Sequence, residues 1–211
     1  MAYDLEEQEQ IDAIKGWWSD YGNLVIMAVI ACLLTIAAFQ GWRYYKAQQA
    51  ERAAMLFTQL EQAERGSEPK KVRDIAAQII DKHGSTHYAG MAALSAAKAS
   101  FTTGEMEDAK KNLQWVIDKA REDEMRDVAR LRLAGILLDE KKYDEALKLL
   151  SAKSTEAYAA LYADLKGDVL AAQGKPAEAR TAYQLALDKS AAASQYRALI
   201  ELKLDALGDA K

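Results

Sequence analysis

Cysteine occurs once in this 211-residue chain, at Cys32, proline twice, at Pro69 and Pro176, and histidine twice, at His83 and His87. A single cysteine excludes a disulfide within the chain, so cysteine usage says nothing about the redox compartment. The i, i+4 spacing of the histidines would suit a metal on a helix. Gly84 and Ser85 between them point instead to a loop, and no cysteine or acid completes a ligand set, so neither a metal nor a cofactor is expected. A glycine-rich phosphate loop and a G-x-S-x-G nucleophile motif are both missing. With no catalytic constellation in view, the chain is not expected to be an enzyme. A basic patch is also absent: residues 43–211 carry 27 basic and 26 acidic side chains, finely mixed, which argues against a nucleic-acid surface.

The chain does have one long run without charge. Between Asp20 and Arg43 lie 22 uncharged residues. As a helix they span about 33 Å, against a hydrocarbon core of about 30 Å. No polar stripe interrupts the run, as a buried soluble helix would require. Trp17, Trp18 and Tyr21 precede it, and Trp42, Tyr44 and Tyr45 follow, which marks two membrane interfaces. A cleaved signal peptide fits poorly: the leader carries six acids against Lys15, and the bulky "FQGWRYY" offers no small-x-small site. The reading is an acidic tail (1–22), an uncleaved signal anchor forming a transmembrane helix (23–42), a helical stalk (43–66) and a repeat domain (67–211). Gly66 suits the C′ position closing the stalk, and Pro69 the first turn of the next helix.

Beyond the stalk the composition is helical throughout, rich in alanine and without β-branched runs. Three segments repeat: "GEMEDAKKNLQWVIDKA" (104–120), "KKYDEALKLLSAKS" (141–154) and "GKPAEARTAYQLALDKS" (174–190). Each has a turn, an acidic helix start and then a small residue, Ala109, Ala146 or Ala179. A weaker copy, "KKVRDIAAQIIDKH" (70–83), places Val72 at the same position. The steps of 37, 37 and 33 residues fit the tetratricopeptide period of about 34. In the last copy Gly167, Leu170, Gly174, Ala179, Tyr183 and Ala186 follow the small, large, turn, small, aromatic, small pattern. A generic array of αα-hairpins is the alternative, because the usual tryptophan and proline of each repeat are missing. Residues 192–207 suit a final helix shielding the end of the stack. The fold class expected is all-α: an N-terminal transmembrane helix continuing into a stalk, then a tetratricopeptide-like αα-hairpin solenoid with a C-terminal capping helix.

The acids at helix starts, Glu105, Glu107, Asp108, Asp144 and Glu145, complement helix dipoles and need no catalytic role. The remaining candidate is the concave groove lined by the first helix of each hairpin. Counting from the turns gives Met91, Leu94, Lys98 and Phe101, then Val128, Leu131, Gly135 and Leu138, a mostly apolar set that would suit an extended or unfolded segment. The same positions equally suit ordinary core packing. Asparagine, which carboxylate-gripping repeats use, occurs only at Asn23 and Asn112, so no carboxylate clamp is expected.

The order of tail, span, stalk and hairpins, with "GWWSDYGN", the anchor and "GKPAEARTAYQLAL", resembles the YfgM-like family of Gram-negative bacteria over the whole chain. The resemblance implies a single-pass inner-membrane protein with a cytoplasmic N-terminus and a periplasmic repeat domain. It further implies an ancillary, chaperone-like subunit of the Sec translocon that helps pass exported client chains to the membrane-anchored periplasmic chaperone PpiD. It also implies a link to envelope-stress signalling, in which the acidic tail would bind a cytosolic response regulator. The flanking charges vote the other way on orientation. Lys15 precedes the span, while Arg43, Lys46 and Arg52 follow it, which alone favours a cytoplasmic repeat domain. Long domains translocate largely regardless of such charges, so the expectation follows the resemblance.

Overall fold

The computed structural model describes the backbone of residues 2–191 and 194–208, with side chains from Glu7 onward. The side chains of Asp4 and Glu6 in the acidic tail, residues 192 and 193 before the cap and the last three residues of the repeat domain lie outside the described residues. Among the described residues every regular element is helical: α1 (Ala2–Arg65), α2 (Pro69–His83), α3 (His87–Thr102), α4 (Met106–Lys119), α5 (Asp123–Asp139), α6 (Tyr143–Leu150), α7 (Ala159–Ala172), α8 (Pro176–Lys189) and α9 (Tyr196–Ala206), with a 3-10 turn at Glu156–Tyr158. The chain divides into two compact units, one up to Gln49 and one from Ala50 onward.

The first unit is helical, and nearly every described side chain in it is exposed, including Leu24, Met27, Leu34 and Phe39. One apolar stretch of this helix is long enough to cross a membrane. Thr35, the hydroxyl within that stretch, donates from Oγ1 to the Ala31 carbonyl at 2.8 Å. Its polar group is thereby satisfied inside the helix, as a hydrocarbon surrounding demands.

In the second unit, residues 50–65, expected as part of a stalk, bury Ala53, Phe57, Leu60 and Ala63 in one cluster with Val72, Ala76 and Ile79 of α2 and Ala89, Ala92 and Ala96 of α3. The i, i+4, i+7 spacing of Ala53, Phe57 and Leu60 is one helical face. This segment therefore acts as the first helix of a hairpin with α2. Three more hairpins follow, α3–α4, α5–α6 and α7–α8, and α9 closes the stack. A central cluster joins Leu113, Val116, Leu133, Ile136 and Val169. A last one joins Leu170, Tyr183 and Leu187 to Ile200 of α9.

The turn inside each hairpin is the same object four times. The N–H of Glu68, Glu105, Lys142 and Lys175 donates to the carbonyl of Ala63, Ser100, Leu137 and Leu170 at 3.0, 2.8, 2.8 and 2.9 Å. That 6→1 bond is a Schellman closure, which needs a left-handed residue just before the donor. Those residues are Ser67 (φ 53°), Gly104 (80°), Lys141 (60°) and Gly174 (79°), in the 37, 37, 33 rhythm read from the sequence. The first left-handed position is thus Ser67 rather than Gly66, because the closing bond, not glycine content, sets the register. Five residues beyond each lie Val72, Ala109, Ala146 and Ala179, all buried, where a small side chain lets the two helices approach. In the last hairpin a Cβ on Gly167 would stand 2.4 Å from the Tyr183 ring, so only glycine admits that aromatic.

Candidate protein-binding groove and membrane segment

The predicted groove residues fall on α3 and α5, the first helices of adjacent hairpins. None is fully buried: Met91, Leu94, Val128, Leu131 and Leu138 are half-buried, while Lys98 and Phe101 are exposed. Several also touch the core. Met91 packs on the cluster of α1, α2 and α3, and Leu94, Leu131 and Leu138 on the central one. A pocket of about 470 Å³ brings Lys98, Phe101, Gly135 and Leu138 together over a floor of Leu113 and Ile136. Met91, Leu94, Val128 and Leu131 do not line it.

Arg132 and Asp139, which sequence reasoning missed, complete the pocket's wall. Their signal was their place on α5, one turn from Val128 and Gly135, where polar residues stand on an otherwise apolar face. Phe101 is 46% exposed, unusual for a phenylalanine inside a repeat array. At Gly135 a Cβ would meet nothing within 4 Å, so the glycine leaves the pocket open instead of permitting close packing. The arrangement offers an apolar slot with charges of both signs at its edge.

Other polar clusters fasten the hairpins together. Asp127, 1% exposed, accepts from Tyr162 Oη (2.8 Å), the Thr155 N–H (2.8 Å), Thr155 Oγ1 (2.9 Å) and Arg130 (3.2 Å). Burial and this carboxylate push the Tyr162 hydroxyl up to about 12. Asp164, also buried, accepts from Tyr196 Oη and from Lys203 Nζ at 2.8 Å, and Lys203 reaches Asp168 at 2.8 Å. Burial alone would lower the Lys203 ammonium, but hydrogen bonds to Asp164 and Asp168 prevail and raise it. These carboxylates are occupied by donors from the next element, so they hold α7 and α9 in place. Arg73 to Thr103 (3.0 Å) and Lys110 to Glu140 (2.7 Å) are a second tie, at the same position of successive repeats.

The histidines are separated by their loop. His83 is buried at the end of α2, while the His87 ring nitrogen Nδ1 lies 2.9 Å from Glu122 and lowers that carboxyl below its usual range. Among the described residues no group of three or more ligating side chains comes together.

The aromatic residues flanking the apolar run pack locally. The rings of Trp17 and Tyr21 are 5.8 Å apart, and Lys46 Nζ lies 4.9 Å over the Trp42 ring. Tyr44 and Tyr45 hydroxyls accept from Gln48 and Gln49 amides at 3.2 and 3.0 Å. From Trp17 to Tyr45 the helix rises about 42 Å, close to the full bilayer thickness of about 40–45 Å with its headgroup zones.

An all-helical chain of four hairpins closed by one repeated turn, with a cap, is a tetratricopeptide-type solenoid. The family model described as "Tetratricopeptide repeat-like domain" matches residues 15–209. The chain is similar to proteins named "Ancillary SecYEG translocon subunit": it is 31% identical to that of Neisseria gonorrhoeae over 98% of this chain and 100% of the relative. It is 28% identical to that of Escherichia coli over 95% and 96%. It therefore belongs to this tetratricopeptide repeat-like family, the YfgM family of ancillary translocon subunits. Among solved structures, "MamA 41-end from Desulfovibrio magneticus RS-1" superposes with a TM-score of 0.55 at 17% identity, covering 74% of this chain and 88% of that one, a likeness of fold alone.

Proposed function

We propose that this protein is a non-catalytic, single-pass membrane subunit that works beside the Sec translocon. Its repeat domain stands in the periplasm and helps pass exported chains to the membrane-anchored chaperone PpiD. The observation carrying this reading is the match to relatives of that name over nearly the whole chain, apolar span and repeats together. The α3–α5 pocket supports it, because an open apolar slot beside an exposed phenylalanine suits a large side chain on an unfolded client or a partner chaperone.

Two experiments test it. A reporter active only in the periplasm, fused after Lys211, is expected to be active; inactivity would overturn the orientation. For the groove, a hydrophobic reporter peptide should lose affinity at least ten-fold with Phe101→Glu, and again with Gly135→Leu, which builds a side chain into the slot from a position where a Cβ meets nothing within 4 Å. Unchanged affinity in folded variants would sink the groove as the binding surface. A second reading, regulation through a cytosolic response regulator, draws on the exposed Ile11 and Ile14 of the acidic helix. Deleting residues 2–15 separates the two: the adaptor keeps its translocon complex, the regulator loses its partner.

A further inference from the structure

The two ends of the apolar run differ in charge. At the first end Lys15 is paired with Asp12 at 3.4 Å, and Asp20 adds a further acid. At the second end, residues 43–49 hold Arg43 and Lys46 and no acid. Neither cation makes an ion pair among the described residues. Both instead lean back one turn: the Arg43 guanidinium lies 5.9 Å over Phe39, and Lys46 Nζ lies 4.9 Å over Trp42. Helical side chains tilt toward the N-terminus, so the two charges are drawn back to the level of Phe39 and Trp42, the last turn of the apolar run. Ile36, Phe39, Arg43 and Lys46 fall within about 80° of one helix face. A groove on that face runs from Ile36 and Phe39 up to Arg43.

We infer that this end of the span is a binding site for an anionic phospholipid. Arg43 and Lys46 take the phosphate, and an acyl chain lies along Ile36 and Phe39. Charge complementarity selects this occupant: two cations without carboxylates, at the end of an apolar track, match a lipid with a net negative headgroup. The inference rests on the membrane-spanning reading of α1. It also gives the basic flank a use other than setting orientation.

The test uses the full chain reconstituted in phosphatidylcholine bilayers, with spin-labelled phosphatidylglycerol or spin-labelled phosphatidylcholine as probe. Electron spin resonance reads the fraction of each label immobilised at the protein. The expected result is a preference for phosphatidylglycerol of at least about five-fold, the size that one of the two basic side chains near the surface supplies. It should fall with added salt and drop to near one in the Arg43→Gln/Lys46→Gln variant, while Lys15→Gln leaves it unchanged. Equal association of both labels with the wild type, or a preference that survives in the double variant, would overturn the site. If neither label is immobilised, the membrane-spanning reading fails and the site with it; immobilisation without preference removes the site alone.

Discussion

Asp127 and Asp164 are acids buried inside the repeat array. Asp127 is saturated by four donors from its own helix, the segment leading into α7 and α7 itself. Asp127→Ala should cost about 3 kcal/mol, because Tyr162 and the Thr155 N–H are left buried without a partner, and a shifted urea midpoint would show it. Tyr162→Phe offers a pH test. The folded Tyr162 hydroxyl is held at about 12 against 10 in the unfolded chain, so neutral tyrosine is favoured by folding. That increment is fully present below pH 10 and is lost as pH rises through 12. The stability gap between wild type and Tyr162→Phe should therefore be constant up to about pH 10 and change only above it. A gap that varies between pH 6 and 9 would assign it to another group. Neither aspartate was legible as a fastener in the sequence, since an acid on a helix reads as surface until its tyrosine partner, 35 residues away for Asp127, is placed.

The elements were more legible than their joints. The uncharged run and its aromatic ends, the hairpin rhythm and the buried Val72–Ala109–Ala146–Ala179 series all follow from spacing, because period and small-residue placement are local. The point where packing begins, Ala50, was not, since no glycine or proline interrupts α1 there and continuous helix former looks alike in water, lipid or core. The left-handed turn positions were half legible: glycine marks Gly104 and Gly174, while Ser67 and Lys141 bear a Cβ in the same conformation. A side chain there costs about 1 kcal/mol, so Lys141→Gly should stabilise the protein by about that amount. Gly104→Ala should destabilise it similarly. Denaturant midpoints of the two variants should move in opposite directions; movement in the same direction would remove the turn as the reason. Gly135→Ala should raise stability by up to about 1 kcal/mol, as an interior helical glycine with open space at its Cβ allows.

For the whole molecule, the sequence read as a repeat protein with one candidate membrane span and without enzyme motifs, and its relatives bear the name of translocon subunits. The α3–α5 face was legible, but the pocket on it was not. Of the seven side chains expected, Lys98, Phe101 and Leu138 line the cavity with Arg132 and Asp139, because the offset between α3 and α5 decides which turns face each other. The central claim is that this slot meets translocating chains or their chaperone at the membrane. The direct measurement is photocrosslinking in native membranes from a reactive residue replacing Phe101, with adducts identified by mass. A control residue replaces the exposed Gln114 of α4. The account predicts adducts with exported chains, PpiD or translocon subunits from position 101 that are absent from position 114. Identical adducts from both positions, or adducts with cytosolic proteins alone, would contradict it.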